Sequence, residues 1–258
     1  MLKLSLELPT PYLKLFSSLL DLDFVLAHKV LQDRAYADFF AARERGREVI
    51  LDNSTHEFGK PMPMAELVKA AKLVHANYLI APDIVKGELN DPEQIHQNRT
   101  WLAETCNVCD STYDIGAVIC GNTFTEFGDY LDDAEWQGVK LICFTFHNEN
   151  RLKWWKWFDL LDGQMLFPRV HLLGMHTVEE LKRWVELSEI WTNISWSFDT
   201  SKPLKFGVQG IELDKIENLR GGAVRSKEVL DLEHLTDEQI GYCRYNIEYL
   251  KKLCKGEG

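Results

Sequence analysis

Two aspartates lie at the ends of apolar runs in the sequence, where their carboxylates could take part in catalysis. Asp52 lies in the run Glu48–Asn53, and Asp199 ends the run Ile194–Asp199. Two carboxylates that face one pocket allow covalent glycosyl transfer, in which one attacks the anomeric carbon and the other moves protons. A single acid at such a place can instead cap a helix or close a turn. Because these two come from opposite parts of the sequence, we favour a functional role for both.

Further residues at the ends of apolar runs are candidates for binding a substrate. They are Asn53, Ser54, Asp83, Cys120, Gly121, His147, Gly174 and Met175. In a barrel of parallel strands all these ends lie on the catalytic face.

The elements that must position these residues show a regular alternation of apolar runs and amphipathic stretches. The runs predicted as strands are Asp23–His28, Glu48–Asn53, Asn77–Asp83, Ile115–Gly121, Val139–His147, Val170–Met175, Ile194–Asp199 and, more weakly, Val208–Leu213. The predicted helices are Val30–Arg45, Met64–His75, Pro92–Cys106, Phe124–Trp136, Leu152–Leu161, Val178–Leu187 and Asp237–Leu253, the last with Thr236 as its N-cap. Alternation predicts parallel strands joined by crossovers, and near-continuous apolar runs predict strands covered on both faces. We therefore predict an α/β fold, a (β/α)8 TIM barrel, with an open doubly wound sheet as the competitor.

Length and composition agree with one such barrel. The chain has 258 residues, of which 45% are hydrophobic and 27% charged. A barrel of this type takes about 250 residues. No Pro/Gly/Ser-rich linker interrupts the sequence, so we predict a single domain over residues 1–258 with a C-terminal helix.

The net charge and the cysteine content of the chain limit its possible partners and its cellular location. The formal net charge is −11, which means that a nucleic-acid binder of this composition needs a local basic face. The six cysteines are scattered, and neither a signal peptide nor a membrane-spanning run is evident. These features predict free thiols, a cytoplasmic location and no membrane partner.

Four short segments, in this order, resemble those of the tRNA-guanine transglycosylases. The segment Ile50–Ser54, followed by Glu57–Gly59, is similar to the family's strand segment that contains Asp-Ser. Val118–Gly121 is similar to the family's base-recognition segment, which usually reads Val-Gln-Gly. His171–Met175 is similar to their Leu-Leu-Gly-Val-Gly strand, and Phe198–Thr200 to their Phe-Asp-Cys nucleophile segment. Each motif is short, but their order and spacing agree from about Asp23 to Gly207. The short chain resembles most the compact phage-type relatives, the DNA 7-deazaguanine transglycosylases.

The resemblance implies a role for each matching residue. Asp199 is the expected nucleophile at C1′ of the target nucleotide, and Asp52 the general acid and base. Asp83 is expected to bind the Watson–Crick edge of the base. Gly121 and Gly174 are expected to let the backbone approach the ring. The expected reaction exchanges guanine in DNA for a preQ0- or preQ1-like 7-deazaguanine, with two displacements that retain configuration.

The sequence departs from the family pattern in two ways, one at the zinc site and one at the residue that reads the base. The tRNA enzymes carry a zinc site of three cysteines and a histidine after the nucleophile strand. Only Cys243 and Cys254 follow Asp199 here, so no zinc and no other cofactor is expected. Cys120 stands where the family has the base-reading glutamine, which leaves the selected base open.

Five basic residues are candidates for contacting a nucleic acid. They are Arg151, Lys153 and Lys156, which alternate with tryptophans, and Lys202 and Lys205, which follow Asp199. Basic residues beside aromatics suit a backbone groove or a stacking surface. The alternative for residues 151–158 is a helix whose tryptophans face the barrel, and surface lysines are common everywhere.

Three other functions stay open from the sequence. The polymer could be tRNA, the chain could be a non-catalytic subunit of a modification complex, or it could be a barrel hydrolase of a small glycoside or nucleoside. The presence of both Asp52 and Asp199 favours catalysis over the second of these. A homodimer or an accessory protein is the expected assembly, in the host cytoplasm if the gene is carried by a phage.

Overall fold

The computed structural model describes residues 1–43, 46–83, 92–109, 112–119, 123–145, 167–175, 177–216 and 226–257. Eight strands form one sheet: β1 (Lys3–Ser5), β2 (Asp23–Leu26), β3 (Val49–Asp52), β4 (Tyr78–Ile80), β5 (Asp114–Ile119), β6 (Leu141–Phe144), β7 (Arg169–Leu172) and β8 (Ser195–Asp199). Their order in the sheet is β1-β8-β7-β6-β5-β4-β3-β2. The strands are parallel and alternate with helices, so the chain has the predicted (β/α)8 barrel fold.

The helices of the described residues fill the connections between strands. They are α1 (Leu13–Phe16), α2 (Ala27–Gln32), α3 (Arg34–Ala41), α4 (Thr55–Phe58), α5 (Met64–Val74), α6 (Pro92–Cys109), α7 (Phe124–Trp136), α8 (Val178–Ile190), α9 (Lys202–Gly207), α10 (Ser226–Leu230) and α11 (Asp237–Cys254). Short 3-10 turns lie at Thr10–Tyr12, Ser17–Leu19 and Leu213–Lys215. Along these described parts of the chain, no helix combines the length and the apolar character needed to span a bilayer.

Threonine caps explain where three of the longer helices begin. Thr236 accepts a hydrogen bond from the Gln239 N–H at the start of α11, and the Gln239 side chain accepts one from the Thr236 N–H. Thr123 and Glu126 form the same reciprocal pair at α7. Such capping boxes satisfy backbone donors that the first turn leaves without intrahelical partners. The predicted N-cap Thr236 is confirmed.

The strands form the core because their side chains are buried on both faces. Every residue of β2, β6 and β7 is buried, as expected for parallel strands covered by helices. The pairings of β3 with β4, β4 with β5 and β5 with β6 are parallel, with Leu51 opposite Leu79 and Ile80 opposite Gly116. The first seven predicted runs therefore match strands β2 to β8, although β5 and β7 each begin one residue before the predicted run.

The predicted eighth strand is wrong, and the true eighth strand was missed. Residues 208–213 form a turn and the start of a 3-10 segment, because the Ile211 N–H bonds back to the Phe206 carbonyl (3.0 Å) and Gly210 adopts φ +71°. These are features of a helix C-terminus that a short apolar pattern does not reveal. The missing strand is β1, whose three residues pair in parallel with β8, with Ser5 opposite Asp199.

The predicted helix Val30–Arg45 is interrupted at one residue. Asp33 has extended dihedral angles (φ −120°, ψ 104°), and its carboxylate accepts a hydrogen bond from the Tyr36 N–H (3.1 Å). Asp33 thus ends α2 and caps α3. The predicted helix Leu152–Leu161 lies outside the described residues.

Within this fold the chain forms two compact units, which are described separately below. The terminal unit combines Met1–Asp23 with Leu172–Gly258, and the central unit is Phe24–His171. The boundaries of the predicted single domain stay a prediction.

Candidate active site

Asp199 is the last residue of β8 in the terminal unit, and its carboxylate is fixed by the backbone of the loop that follows β7. The side chain is buried, with 3% of the residue exposed. Its Oδ1 accepts a hydrogen bond from the Gly174 N–H (2.9 Å), and its carbonyl accepts one from the Met175 N–H (2.9 Å). Gly174 adopts φ +63°, a left-handed conformation that glycine takes without strain. Gly174 and Met175, predicted to bind substrate, thus lie against the predicted nucleophile.

Thr200 joins the same two loops. Its hydroxyl donates to the Met175 carbonyl (3.1 Å) and accepts from the Lys202 N–H (3.2 Å), and the residue is 2% exposed. No role was predicted for Thr200 from the sequence, because its partner Met175 lies in another loop.

Lys202 and Lys205, predicted to contact phosphates, lie on α9 directly after β8. Lys202 is buried, with its Nζ 5.9 Å from the centroid of the Phe206 ring. Burial and, to a smaller extent, the charge of Lys205 together lower the pKa of Lys202 to about 8. Burial also lowers the pKa of Lys205, which the charges of Glu7 and Glu228 oppose. Their role in phosphate binding stays a prediction.

Asp52 ends β3 in the central unit and is half-buried. Its Oδ2 accepts a hydrogen bond from the Ser54 N–H (2.7 Å). Ser54 is fully buried in a left-handed conformation (φ 57°), and its Oγ accepts from the His28 N–H (3.2 Å). The hydroxyl predicted to bind substrate therefore also ties the residues after β2 to those after β3.

Asn53 connects β3 to Asp83, which follows β4. Its Nδ2 donates to the Ala81 carbonyl (2.6 Å) and to Asp83 Oδ1 (2.9 Å), while its Oδ1 accepts from the Thr55 N–H (2.9 Å). Three hydrogen bonds fix this buried amide, and the amide in turn fixes Asp83. The structure thus brings Asp52, Asn53, Ser54 and Asp83 together as one cluster, which we call the β3–β4 cluster.

Asp83 is an acid of the β3–β4 cluster whose titration is changed by its surroundings. Burial raises its pKa from 3.8 to about 6, against the opposing effects of hydrogen bonds from Asn53 and Thr55. Desolvation therefore outweighs the hydrogen bonds that favour the charged form. A buried acid that titrates near neutral pH marks a candidate functional group.

Six of the predicted site residues cannot be placed in this way. Cys120, Gly121, His147, Arg151, Lys153 and Lys156 lie outside the described residues.

The cysteines and histidines of the described residues form no metal cluster. Nowhere in the described ranges do three or more His, Cys, Asp or Glu side chains come together as ligands. Cys243 and Cys254 are free thiols in α11, and burial raises the pKa of each to about 12. Cys106 and Cys109 are free thiols in α6.

Comparison with known proteins supports the fold alone. No protein-family model matches the chain, and no curated protein does. Among solved structures, KGPDC from Streptococcus mutans, a TIM-barrel enzyme, matches 98% of this chain and 99% of its own with a TM-score of 0.52 and 10% identity. At this identity the likeness shows the barrel fold, which is consistent with an enzyme, and says nothing of the reaction.

Proposed function

We propose that this protein is a pentosyltransferase that exchanges guanine in DNA for a 7-deazaguanine derivative through a covalent bond between Asp199 and the sugar. The observation that carries the proposal is the Asp199 carboxylate at the end of β8, held by the Gly174 N–H at 2.9 Å. A buried carboxylate in one fixed orientation suits attack on a carbon, because positioning removes much of the entropic barrier. The order of the four segments that resemble transglycosylases supports the same assignment.

The first step balances without any further reactant. A carboxylate oxygen of Asp199 attacks C1′ of the target deoxyribose, and the electron pair of the N-glycosidic bond moves to N9 of guanine. A proton donor, the role that the resemblance gives to Asp52, protonates N9 of the departing base. The product of the step is a glycosyl ester of Asp199 and a free guanine.

The second step reverses the first with a different base. Asp52, now a carboxylate, takes the proton from N9 of the incoming 7-deazaguanine, and N9 attacks C1′. The ester bond breaks, and its electron pair returns to the Asp199 carboxylate. Two inversions retain the configuration at C1′, and both acids regain their first protonation state.

The β3–β4 cluster supplies the groups that we assign to the base. Asp83 is held by Asn53 and titrates near pH 6, so both its charged and its neutral form are accessible near neutral pH. A neutral carboxyl donates one hydrogen bond and accepts others, which matches the mixed donors and acceptors of a guanine-type edge. We assign Asp83 to that edge and Asn53 to the orientation of Asp83.

We propose DNA as the polymer and assign its phosphate contacts to a small number of lysine side chains. The net charge of −11 opposes binding of any polyanion, so affinity must come from local basic residues. Lys202 and Lys205 follow the nucleophile by three and six residues, and we assign them to phosphates beside the reacting sugar. The target nucleotide must leave the base stack before Asp199 can reach C1′.

The test is base exchange measured on DNA and on tRNA in parallel. The wild-type protein is incubated with each polymer and with a panel of labelled 7-deazaguanine bases, and the digested nucleosides are analysed by mass spectrometry. We expect a modified deoxyguanosine from DNA and a protein–DNA adduct that survives denaturation. Asp199→Asn should abolish both, because an amide cannot form the ester.

The matched control is Asp114→Asn, which changes an exposed aspartate at the start of β5 and should leave exchange unchanged. Exchange by the Asp199→Asn variant at the wild-type rate would contradict the role of Asp199. Exchange on tRNA in place of DNA would keep the chemistry and replace the polymer.

A further inference from the structure

Three hydrogen bonds join the loops after β7 and β8, and a fourth lies within the loop after β8. The Gly174 and Met175 N–H groups bind the carboxylate and the carbonyl of Asp199, respectively. The Thr200 hydroxyl donates to the Met175 carbonyl and accepts from the Lys202 N–H. We call the residues Gly174, Met175, Asp199 and Thr200 the β7–β8 brace. Asp199 and Thr200 thus contact the same short loop from two sides.

Thr200 supplies the one side-chain donor in this set. Its hydroxyl is the link between the Met175 carbonyl and the first turn of α9, and it is buried with the residue 2% exposed. Loss of a buried hydroxyl leaves its former partners in an environment with little water, which costs more than loss of an exposed one. The Thr200 hydroxyl is therefore one of the groups that hold the loop that carries the Gly174 N–H.

We propose that Thr200 is a positioning residue for the Asp199 carboxylate: its hydroxyl holds the Met175 carbonyl and so directs the Gly174 N–H at Asp199. The catalytic part of this inference rests on the proposed function, whereas the structural part does not. The transglycosylase segment that Phe198–Thr200 resembles has cysteine in the place of Thr200. A thiol is a weaker donor than a hydroxyl, so threonine at this position can hold the Met175 carbonyl more firmly than cysteine could.

Two substitutions separate the hydroxyl from the shape of the side chain. Thr200→Val keeps the volume and branching and removes the hydrogen bonds, whereas Thr200→Ser keeps the hydroxyl. The control is Thr105→Val on α6, since Thr105 is also fully buried and its hydroxyl donates to the Trp101 carbonyl of its own helix (2.6 Å). The control reports the general effect of removing a buried threonine hydroxyl.

The first measurement is hydrogen exchange at the Gly174 amide by NMR, which needs no substrate. We expect Thr200→Val to speed this exchange about tenfold, the effect of one lost buried hydrogen bond on local opening. Thr200→Ser should restore the protection, and Thr105→Val should not change it. Equal protection in wild type and Thr200→Val would overturn the proposal.

The second measurement is the single-turnover rate of adduct formation with protein in excess over DNA. We expect Thr200→Val to lower this rate about 10- to 100-fold, as misplacement of a reacting group does, while the Kd for DNA changes by less than about twofold. Thr200→Ser should recover most of the rate. An unchanged rate, or a loss that appears only in Kd, would overturn the positioning role.

The two measurements keep this proposal distinct from the proposed function. If the wild-type protein exchanges no base on DNA or tRNA, the proposed function is wrong, and the Gly174 amide still decides whether Thr200 holds the brace. The opposite outcome is also possible: the wild type exchanges bases, and Thr200→Val has the wild-type hydrogen exchange at Gly174 and the wild-type rate of adduct formation. The proposed function then stands, and the positioning role of Thr200 is overturned.

Discussion

Asp83 shows how burial and hydrogen bonding compete at a single carboxyl. Asn53 and Thr55 stabilise its charged form, but loss of water contributes more and raises the pKa to about 6. The group therefore changes charge in the pH range in which most proteins are assayed. For a residue assigned to a base edge, this change converts a hydrogen-bond donor into an acceptor.

We expect the pH dependence of stability to reveal this titration. An acid whose pKa is raised in the folded state binds its proton more tightly there, so the free energy of unfolding falls as pH rises from about 4 to about 6. Asp83→Asn removes the titrating group. The difference in unfolding free energy, wild type minus Asp83→Asn, should therefore decrease between these pH values and stay level above them.

Urea unfolding at pH 4 to 8 measures that difference, with Asp114→Asn as the exposed control. A difference for Asp83→Asn that is the same at every pH would show that the carboxyl titrates in its ordinary range.

Strand ends could be recognised from the sequence, but hydrogen-bond partners could not. Asp52, Asp83 and Asp199 close or follow buried runs, so their places follow from local patterns. The partner of the Asp199 carboxylate lies 25 residues away, and that of the Ser54 hydroxyl 26 residues away. Such contacts depend on which loops meet. Because the sequence pattern does not show such contacts, no role was predicted for Thr200.

At the level of elements, α9 is held against α11 with almost no space between them. A methyl group built on Gly207 would lie 2.5 Å from Cys243 Sγ, 2.6 Å from its amide nitrogen and 2.7 Å from its Cα. Backbone atoms cannot rotate away as a flexible side chain can. Gly207 is therefore needed for the close approach of the helix that carries Lys202 and Lys205.

We expect Gly207→Ala to lower the free energy of unfolding by about 1–3 kcal/mol, because the helices must move apart. The control is Gly241→Ala on α11, where an added methyl group meets nothing within 4 Å. It should raise stability by about 0.5–1 kcal/mol through better helix propensity. Thermal and urea unfolding measure both, and a Gly207→Ala variant as stable as wild type would show that the two helices are not tightly packed.

Element positions followed from periodicity, and the failures have specific physical causes. The prediction for α7 was correct at both ends, and the structure adds a capping box of Thr123 and Glu126 at its start. Strand β1 has three residues and gains its pairing from β8, almost 200 residues later. Asp33 breaks a stretch of helical spacing through its side chain, an effect that an apolar pattern does not include.

At the scale of the whole molecule, the two ends of the described chain meet in the terminal unit. Lys251 of α11 donates to the Leu19 carbonyl (2.7 Å) and pairs with Asp21 (3.1 Å). Asp21 also accepts from the Leu4 N–H of β1 (2.9 Å). A path of polar contacts thus runs from the last helix to the first strand.

We expect Lys251→Met to lower the free energy of unfolding by about 1 kcal/mol, since it removes one hydrogen bond and one partly buried ion pair. For a chain of this size the melting temperature should fall by about 2–4 °C. Lys252→Met is the matched control, because Lys252 is exposed on the same helix. Equal melting temperatures for the two variants would show that the contact adds nothing to stability.

The fold class followed from the order of the elements, whereas the reaction did not. The likeness to KGPDC at 10% identity shows that a barrel needs the alternation of buried strands and amphipathic helices rather than particular residues. Chemistry depends on a few side chains, and those are the positions where unrelated barrels differ.

The pairing of β1 with β8 affects when, during synthesis, the chain gains the carboxylate that we propose as the nucleophile. The ribosome makes β1 before its parallel partner β8, which follows almost 200 residues later in the chain. A nascent or truncated chain that stops before β8 can contain Asp52 and Asp83 without Asp199. Such a chain lacks the residue that we propose as the nucleophile, so the proposed covalent attack on DNA cannot take place before β8 has been made.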